Sequence, residues 1–168
     1  MGPAVNPPPH HFAAMAYDPA ADRVVLFGGY DIWADAVLND TWVYDYDTNT
    51  WNELHPEVSP PARLYHTMAW DVWSHRMILF GGVSHPYEPL LGDTWALDLR
   101  RNTWTLLTPQ PAPDARAWHV MEGTWSGVLL FGGSPQHEVY TYDDTWIFDS
   151  RRARWIPIDP ARRACGAF

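Results

Sequence analysis

Apolar and polar residues alternate along this chain in runs of about five, each closed by turn-forming residues, the pattern of short half-buried β-strands. The middle of the chain shows it at residues 65–70, 76–80, 94–98 and 103–107. Asp71-Val72-Trp73-Ser74-His75 joins the first two runs and Leu99-Arg100-Arg101-Asn102 the last two, both of hairpin length. The preceding stretch uses Asp18-Pro19-Ala20-Ala21-Asp22 and Asp47-Thr48-Asn49 at the same places, and the following one shortens its first reversal to Thr124-Trp125-Ser126-Gly127. Nowhere do apolar residues recur at helical spacing over several turns, and 16 prolines punctuate the connections, so almost no helix is expected. The pattern predicts twelve short strands in three four-stranded antiparallel units.

These units are copies of one another. Phe27-Gly28-Gly29, Asp40-Thr41-Trp42 and Trp51 return as Phe80-Gly81-Gly82, Asp93-Thr94-Trp95 and Trp104, then as Phe131-Gly132-Gly133, Asp144-Thr145-Trp146 and Trp155. Spacing locked at every landmark means a tandem structural repeat, and four short strands per repeat mean the blades of a β-propeller. The glycine pair suits a backbone leaving the sheet near a crowded axis, where positive φ or a close approach is needed. The tryptophans, on the third and fourth strands, have the size to fill the wedge between blades. Burying one such ring removes ~150–250 Å² from water, an upper estimate of ~4–6 kcal/mol.

The order Pro-x-Arg-x-x-His, apolar strand, Phe-Gly-Gly, loop, Asp-Thr-Trp, Asn-Thr-Trp resembles the kelch repeat over about residues 8–159. The resemblance implies an all-β fold, a partial β-propeller of three four-stranded antiparallel kelch blades with the start of a fourth unit at the C-terminus. The expected division is a disordered Pro-rich leader at 1–7, blades at 8–58, 59–110 and 111–159, and a fourth-unit start or tail at 160–168. The wording is most similar to kelch arrays in secreted or surface bacterial proteins and to the galactose oxidase central domain, which implies a secreted or cell-surface bacterial setting. Arg63 with His66, and Arg116 with His119, follow the family pattern, whereas the first unit has His10 and Ala13 there and the tail has Cys165 in the histidine's place. Propellers close with about four to eight blades. Three units therefore leave three explanations open: a fragment of a longer propeller, a head-to-tail homodimer making a six-bladed ring, or an open arc.

Composition narrows the partners. The net charge of −9 makes nucleic acid and anionic membrane poor ones. The single cysteine excludes an internal disulfide and a Cys-rich zinc site, and neither a membrane-spanning run nor a signal peptide is read. No cofactor is expected. A glycine-rich phosphate loop, a nucleophile elbow and a zinc helix motif are missing, and the Cys, His and Tyr set of a galactose-oxidase copper site is not assembled.

The candidate binding residues are in two groups. Ten residues separate Gly-Gly from Asp-Thr-Trp in every unit, yet their content differs, as expected of a rigid scaffold presenting a recognition surface. They supply Tyr30, Asp31, Trp33 and Asp35, then His85, Tyr87 and Glu88, then His137, Glu138 and Tyr140, a mixture of aromatics and acids suited to a protein, peptide or glycan ligand. Covering neighbouring loops is the competing role for these side chains. Arg63, His66, Arg116 and His119 are expected near the channel mouth, where they could line a pocket but are more in keeping with tying blades together. The function so read is a non-enzymatic interaction module. The alternative is the scaffold part of a galactose-oxidase-like or carbohydrate-active enzyme whose catalytic residues lie outside this chain.

Overall fold

The computed structural model describes residues 5–85, 89–135 and 140–158. Its strands, in chain order, are β1 (Ala14–Asp18), β2 (Arg23–Asp31), β3 (Ala36–Asp45), β4 (Thr50–Leu54), β5 (Thr67–Asp71), β6 (Arg76–Phe80), β7 (Thr94–Asp98), β8 (Thr103–Leu107), β9 (Val120–Thr124), β10 (Gly127–Phe131), β11 (Thr145–Asp149) and β12 (Arg154–Ile158). They form three antiparallel sheets, each of four strands hydrogen-bonded in sequence order, and no helix occurs among the described residues. These are the expected kelch blades of a partial propeller. The residues read as the start of a fourth unit lie outside the described ones.

Side-chain chemistry closes the hairpins. Asp18, Asp45, Asp71, Asp98 and Asp149 each end a first or third strand, and each carboxylate accepts N–H groups from the turn that follows. Asp18 Oδ1, for example, takes Ala20 N at 2.8 Å and Ala21 N at 3.1 Å. The reversals then finish on a residue with positive φ, among them Asp22, Asn49, His75 and Asn102, types that tolerate this conformation comparatively well.

The ten-residue connections differ between blades. In the first, β2 and β3 run on as a paired hairpin to Asp31 and Ala36, with a register shift between Phe27 and Gly29. In the second a single bridge joins Val83 to Leu90, and in the third Tyr142 N reaches Gly133 O at 2.7 Å. Proline contributes to the difference, since Pro89 and Pro135 carry no N–H donor for a hairpin ladder and the first connection contains no proline.

The blades stack face to face. On β6, Met77 and Leu79 point toward the first blade, joining Val25, Phe27 and Val43, while Ile78 and Phe80 point toward the third, joining Val128, Leu130 and Phe148. An unbroken apolar run is what a strand buried on both faces requires. The outer tryptophan of each later blade is pinned to the blade before it. Trp104 donates from Nε1 to Thr41 Oγ1 at 3.1 Å and packs edge-on against Phe27, and Trp155 repeats both contacts with Thr94, at 3.0 Å, and Phe80. The third-strand tryptophans stay local, since Trp42, Trp95 and Trp146 each donate to the aspartate two residues earlier. Phe27 and Phe80 are wholly buried beneath their tryptophans, whereas Phe131, which meets no such tryptophan among the described residues, is 48% exposed.

Candidate functional site

Because the strands run up and down, β2–β3 connections and blade-to-blade connections emerge at one end of the arc, and both hairpin turns of each blade at the other. The first hairpin tip at the loop-bearing end is internally braced. Asp31 Oδ1 accepts Trp33 N at 2.8 Å and Ala34 N at 3.1 Å, and the Tyr30 hydroxyl donates to Asp35. That hydrogen bond raises the Tyr30 phenol above its ordinary range. The Trp33 ring does not fold back on its blade; it is 83% exposed. His85 is exposed as well, and so is Tyr140, whose carbonyl accepts Ser134 Oγ at 3.0 Å. Tyr87, Glu88, His137 and Glu138 lie outside the described residues.

Arg63 and Arg116 are wholly buried and turn every part of the guanidinium inward. Arg63 holds Asp93 through two bonds of 2.7 and 2.8 Å and donates to the carbonyls of Gly81 and Pro61, while its own backbone joins Gly29 and Leu38 of the preceding blade. Arg116 repeats the arrangement with Asp144, Gly132, Asp114, Gly82 and Leu91, and its guanidinium lies over the Tyr142 ring at 4.0 Å. Burial works to raise the Asp93 carboxyl, but the Arg63 hydrogen bonds and charge, helped by the Trp95 indole, outweigh it and hold the group below its ordinary value; Asp144 is lowered by the same kind of contacts. The first unit, lacking the arginine, meets the same need with His10. Its Nδ1 lies 2.7 Å from Gly28 O and its Nε2 3.5 Å from Asp40.

His66 and His119 sit one layer deeper. Each stacks edge-on against the phenylalanine of the preceding blade, at 5.5 Å from Phe27 and 5.6 Å from Phe80. Among the described residues neither ring's nitrogens meet a hydrogen-bond partner, and burial pushes both imidazoles down to about 3. Their packing also explains the glycines. A Cβ on Gly81, at φ +69°, would collide with the Arg116 carbonyl and come within 3.0 Å of the His119 ring.

Sequence reasoning missed a second feature of this end. Phe12, Tyr65 and Trp118 stand at equivalent positions just before β1, β5 and β9, at the loop-bearing end of these neighbouring first strands. Their rings form an arc with centroids 4.6 and 4.8 Å apart, and the backbones are linked by Tyr65 N to Phe12 O at 3.2 Å and Trp118 N to Tyr65 O at 3.1 Å. The signal was available: the residue before each family histidine is aromatic in both complete copies, and Phe12 holds that place in the first. At the turn-bearing end the innermost strands line a shallow cavity of about 600 Å³ that includes Met15, Tyr17, Met68, Met121 and Trp125. Trp73 there donates to the Trp125 carbonyl at 2.9 Å and carries Arg151 over its ring. Among the described residues no three His, Cys, Asp or Glu side chains gather where they could hold a metal ion.

Comparison with known proteins agrees with this geometry. A family model described as the KLHDC2/KLHL20/DRC7 Kelch-repeats domain matches residues 3–165. The chain is 33% identical over 128 residues to Kelch domain-containing protein 2 of Bos taurus, covering 75% of this chain and 30% of that protein. It is 29% identical over 144 residues to Kelch domain-containing protein 3 of Homo sapiens, covering 80% of this chain and 37% of that protein. An adagio-like protein 2 of Oryza sativa subsp. japonica is 33% identical over 156 residues, 89% of this chain and 23% of that protein. The chain thus spans well under half the length of these relatives. From the repeated landmarks, the stacked sheets and these matches, the chain belongs to the kelch-repeat family of β-propeller proteins.

Proposed function

We propose that this chain is a non-enzymatic interaction module that holds a polypeptide partner on its loop-bearing end. Kelch domains generally bind proteins, and the observation that carries the reading here is Trp33. It is a large ring left 83% exposed on a braced hairpin tip whose own acids are engaged in the turn. An exposed indole on a rigid mount is the usual anchor of a protein interface. Arg63, His66, Arg116 and His119 serve this site as its mount, since their contacts join successive blades. Blade boundaries at 8–58, 59–110 and 111–159 are the working division.

The test is capture from cell extract with mass-spectrometric identification, comparing wild type, Trp33→Ala with Tyr140→Ala, and Trp125→Ala at the opposite end. Proteins lost only with the first variant are loop-end partners. Capture that survives it and fails with Trp125→Ala would refute the assignment of the face. A glycan ligand is the alternative, and carbohydrate bound through Trp33 would replace the polypeptide.

A second contact is supported by the half-exposed Phe131. It stands beside Thr145 as Phe27 and Phe80 stand beside Thr41 and Thr94, ready for the indole of a further kelch blade. Trp51, whose one ring contact among the described residues is with Tyr44 of its own blade, offers that indole in a second copy. Light scattering on the purified chain would read a discrete head-to-tail dimer, and a stable monomer would refute it.

A further inference from the structure

We infer that the cavity at the turn-bearing end is a second binding site, one for a small organic cation of the quaternary ammonium class. It lies at the opposite end from the face proposed above and does not depend on that reading.

The wall of the cavity is built from the repeat. The innermost strands β1, β5 and β9 each pair on one side only, and their residues nearest the hairpin turns, with the turns beyond them, enclose about 600 Å³. That volume is in the range of small-molecule sites. Met15, Met68 and Met121 occupy one register position, opposite Leu26, Leu79 and Leu130, and all three line the cavity. The next position holds Ala16, Ala69 and Glu122. Two blades are complete there with a methyl group, so the blade itself requires no charge at that place. Glu122 is exposed and is the one charged side chain among the described residues of the wall. The position after it is Gly123, where a Cβ would collide with the Trp70 carbonyl. Glycine thus lets β9 close on β5 beside the carboxylate.

Two aromatic rings complete the wall. Tyr17 stands on the first blade and Trp125 on the third, so they flank the cavity from either side of β5, and they are 52% and 83% exposed. Both sit on fixed mounts. The Tyr17 hydroxyl donates to Asp22 Oδ1 at 2.6 Å. The Trp125 carbonyl accepts Trp73 Nε1 at 2.9 Å, and the Trp125 turn is closed by Ser126 N to Thr124 Oγ1 at 3.1 Å and Thr124 Oγ1 to Gly127 O at 2.7 Å. Of the arginines at this end, Arg23, Arg101, Arg151 and Arg152 are paired with aspartates, and no described arginine lines the cavity. Ring faces and a carboxylate attract positive charge, and thioethers adapt to methyl groups. A quaternary ammonium spreads its charge over methyl groups and has no N–H to satisfy, whereas a lysine or arginine head brings three to five donors.

The test titrates choline, and neohexanol as its uncharged isostere, into protein with isotope-labelled methionine methyl groups and indole N–H groups, followed by NMR. Choline is expected to move the signals of Met15, Met68, Met121 and Trp125 and to leave Met77, which is wholly buried between the first two blades, in place. It should bind about fivefold more tightly than neohexanol, as a surface cation–π contact allows, and more weakly as salt is added. Glu122→Gln should bring choline down to the affinity of neohexanol at an unchanged melting temperature, and Trp125→Ala, at an exposed tip, should weaken choline independently. Unmoved Met15, Met68 and Met121 signals, equal binding of neohexanol, or choline affinity untouched by both substitutions would each overturn the inference. A choline response confined to Trp33 would also overturn it and would leave the loop-end reading standing.

Discussion

Acidification should loosen the stack of blades well above the range where carboxylates titrate. His66 and His119 are buried between blades, and desolvation, with the neighbouring Arg63 and Arg116 charges, pushes their imidazoles from 6.5 to about 3; the two rings also repel each other's charged form. Below the ordinary histidine value the unfolded chain takes up protons that the folded chain refuses. Folding stability therefore falls as pH drops from about 6.5 toward 3. Between pH 7 and pH 5 each ring withdraws roughly 2 kcal/mol, and the pair about 4 kcal/mol. That is a large fraction of the ~5–15 kcal/mol typical of a domain. Asp93 and Asp144, whose carboxyls are lowered from 3.8, lose their contributions only further down, so the window isolates the imidazoles. Urea unfolding followed by tryptophan fluorescence at pH 7, 6 and 5 reads the slope directly, and His119→Leu should roughly halve it. Stability that stays flat over this range, or a slope untouched by His119→Leu, would refute the claim that these rings are held neutral by burial.

Two further substitutions test the architecture. Trp155→Ala removes a wholly buried ring and its bond to Thr94 and should cost about 3–5 kcal/mol, whereas Trp51→Ala, on the unpaired outer face, should cost under about 1 kcal/mol; equal losses by chemical denaturation would contradict inter-blade pinning. Arg116→Lys keeps the charge but loses the two-pronged grip on Asp144 and the Gly132 contact, and a melting temperature within a degree of wild type would mean that the buried pair does not hold the blades.

The strand pattern was legible because each strand is short and bounded by turn residues with a local job. The predicted run at 65–70 begins two residues before β5 because Tyr65 and His66 obey the channel mouth and the blade interface rather than the sheet. The first connection became a hairpin, and equal length could not show that; the absence of proline could have. Arginine–aspartate pairing was also within reach, since Arg63 to Asp93 and His10 to Asp40 are both 30 residues apart, but nothing local marks partners at that range. Trp33 was readable only as a candidate, because whether a ring folds back depends on what the hairpin tip leaves beside it.

Repetition separates architecture from recognition less cleanly than the landmarks suggest. Arginine, histidine, Gly-Gly and Asp-Thr-Trp recur because every interface poses the same problem; the arginine and aspartate polar atoms are consumed in solving it, and the histidine rings serve it by packing. Phe12, Tyr65 and Trp118 share a backbone conformation and yet differ in the ring they carry. The conformation belongs to the repeat, since the link from each N–H to the previous carbonyl continues around the arc. The rings vary from blade to blade, and Tyr65 also packs against the buried Leu64, Val83 and Ala117. A position whose backbone is fixed by the fold and whose side chain differs between blades is where a propeller can change its surface without altering its blades.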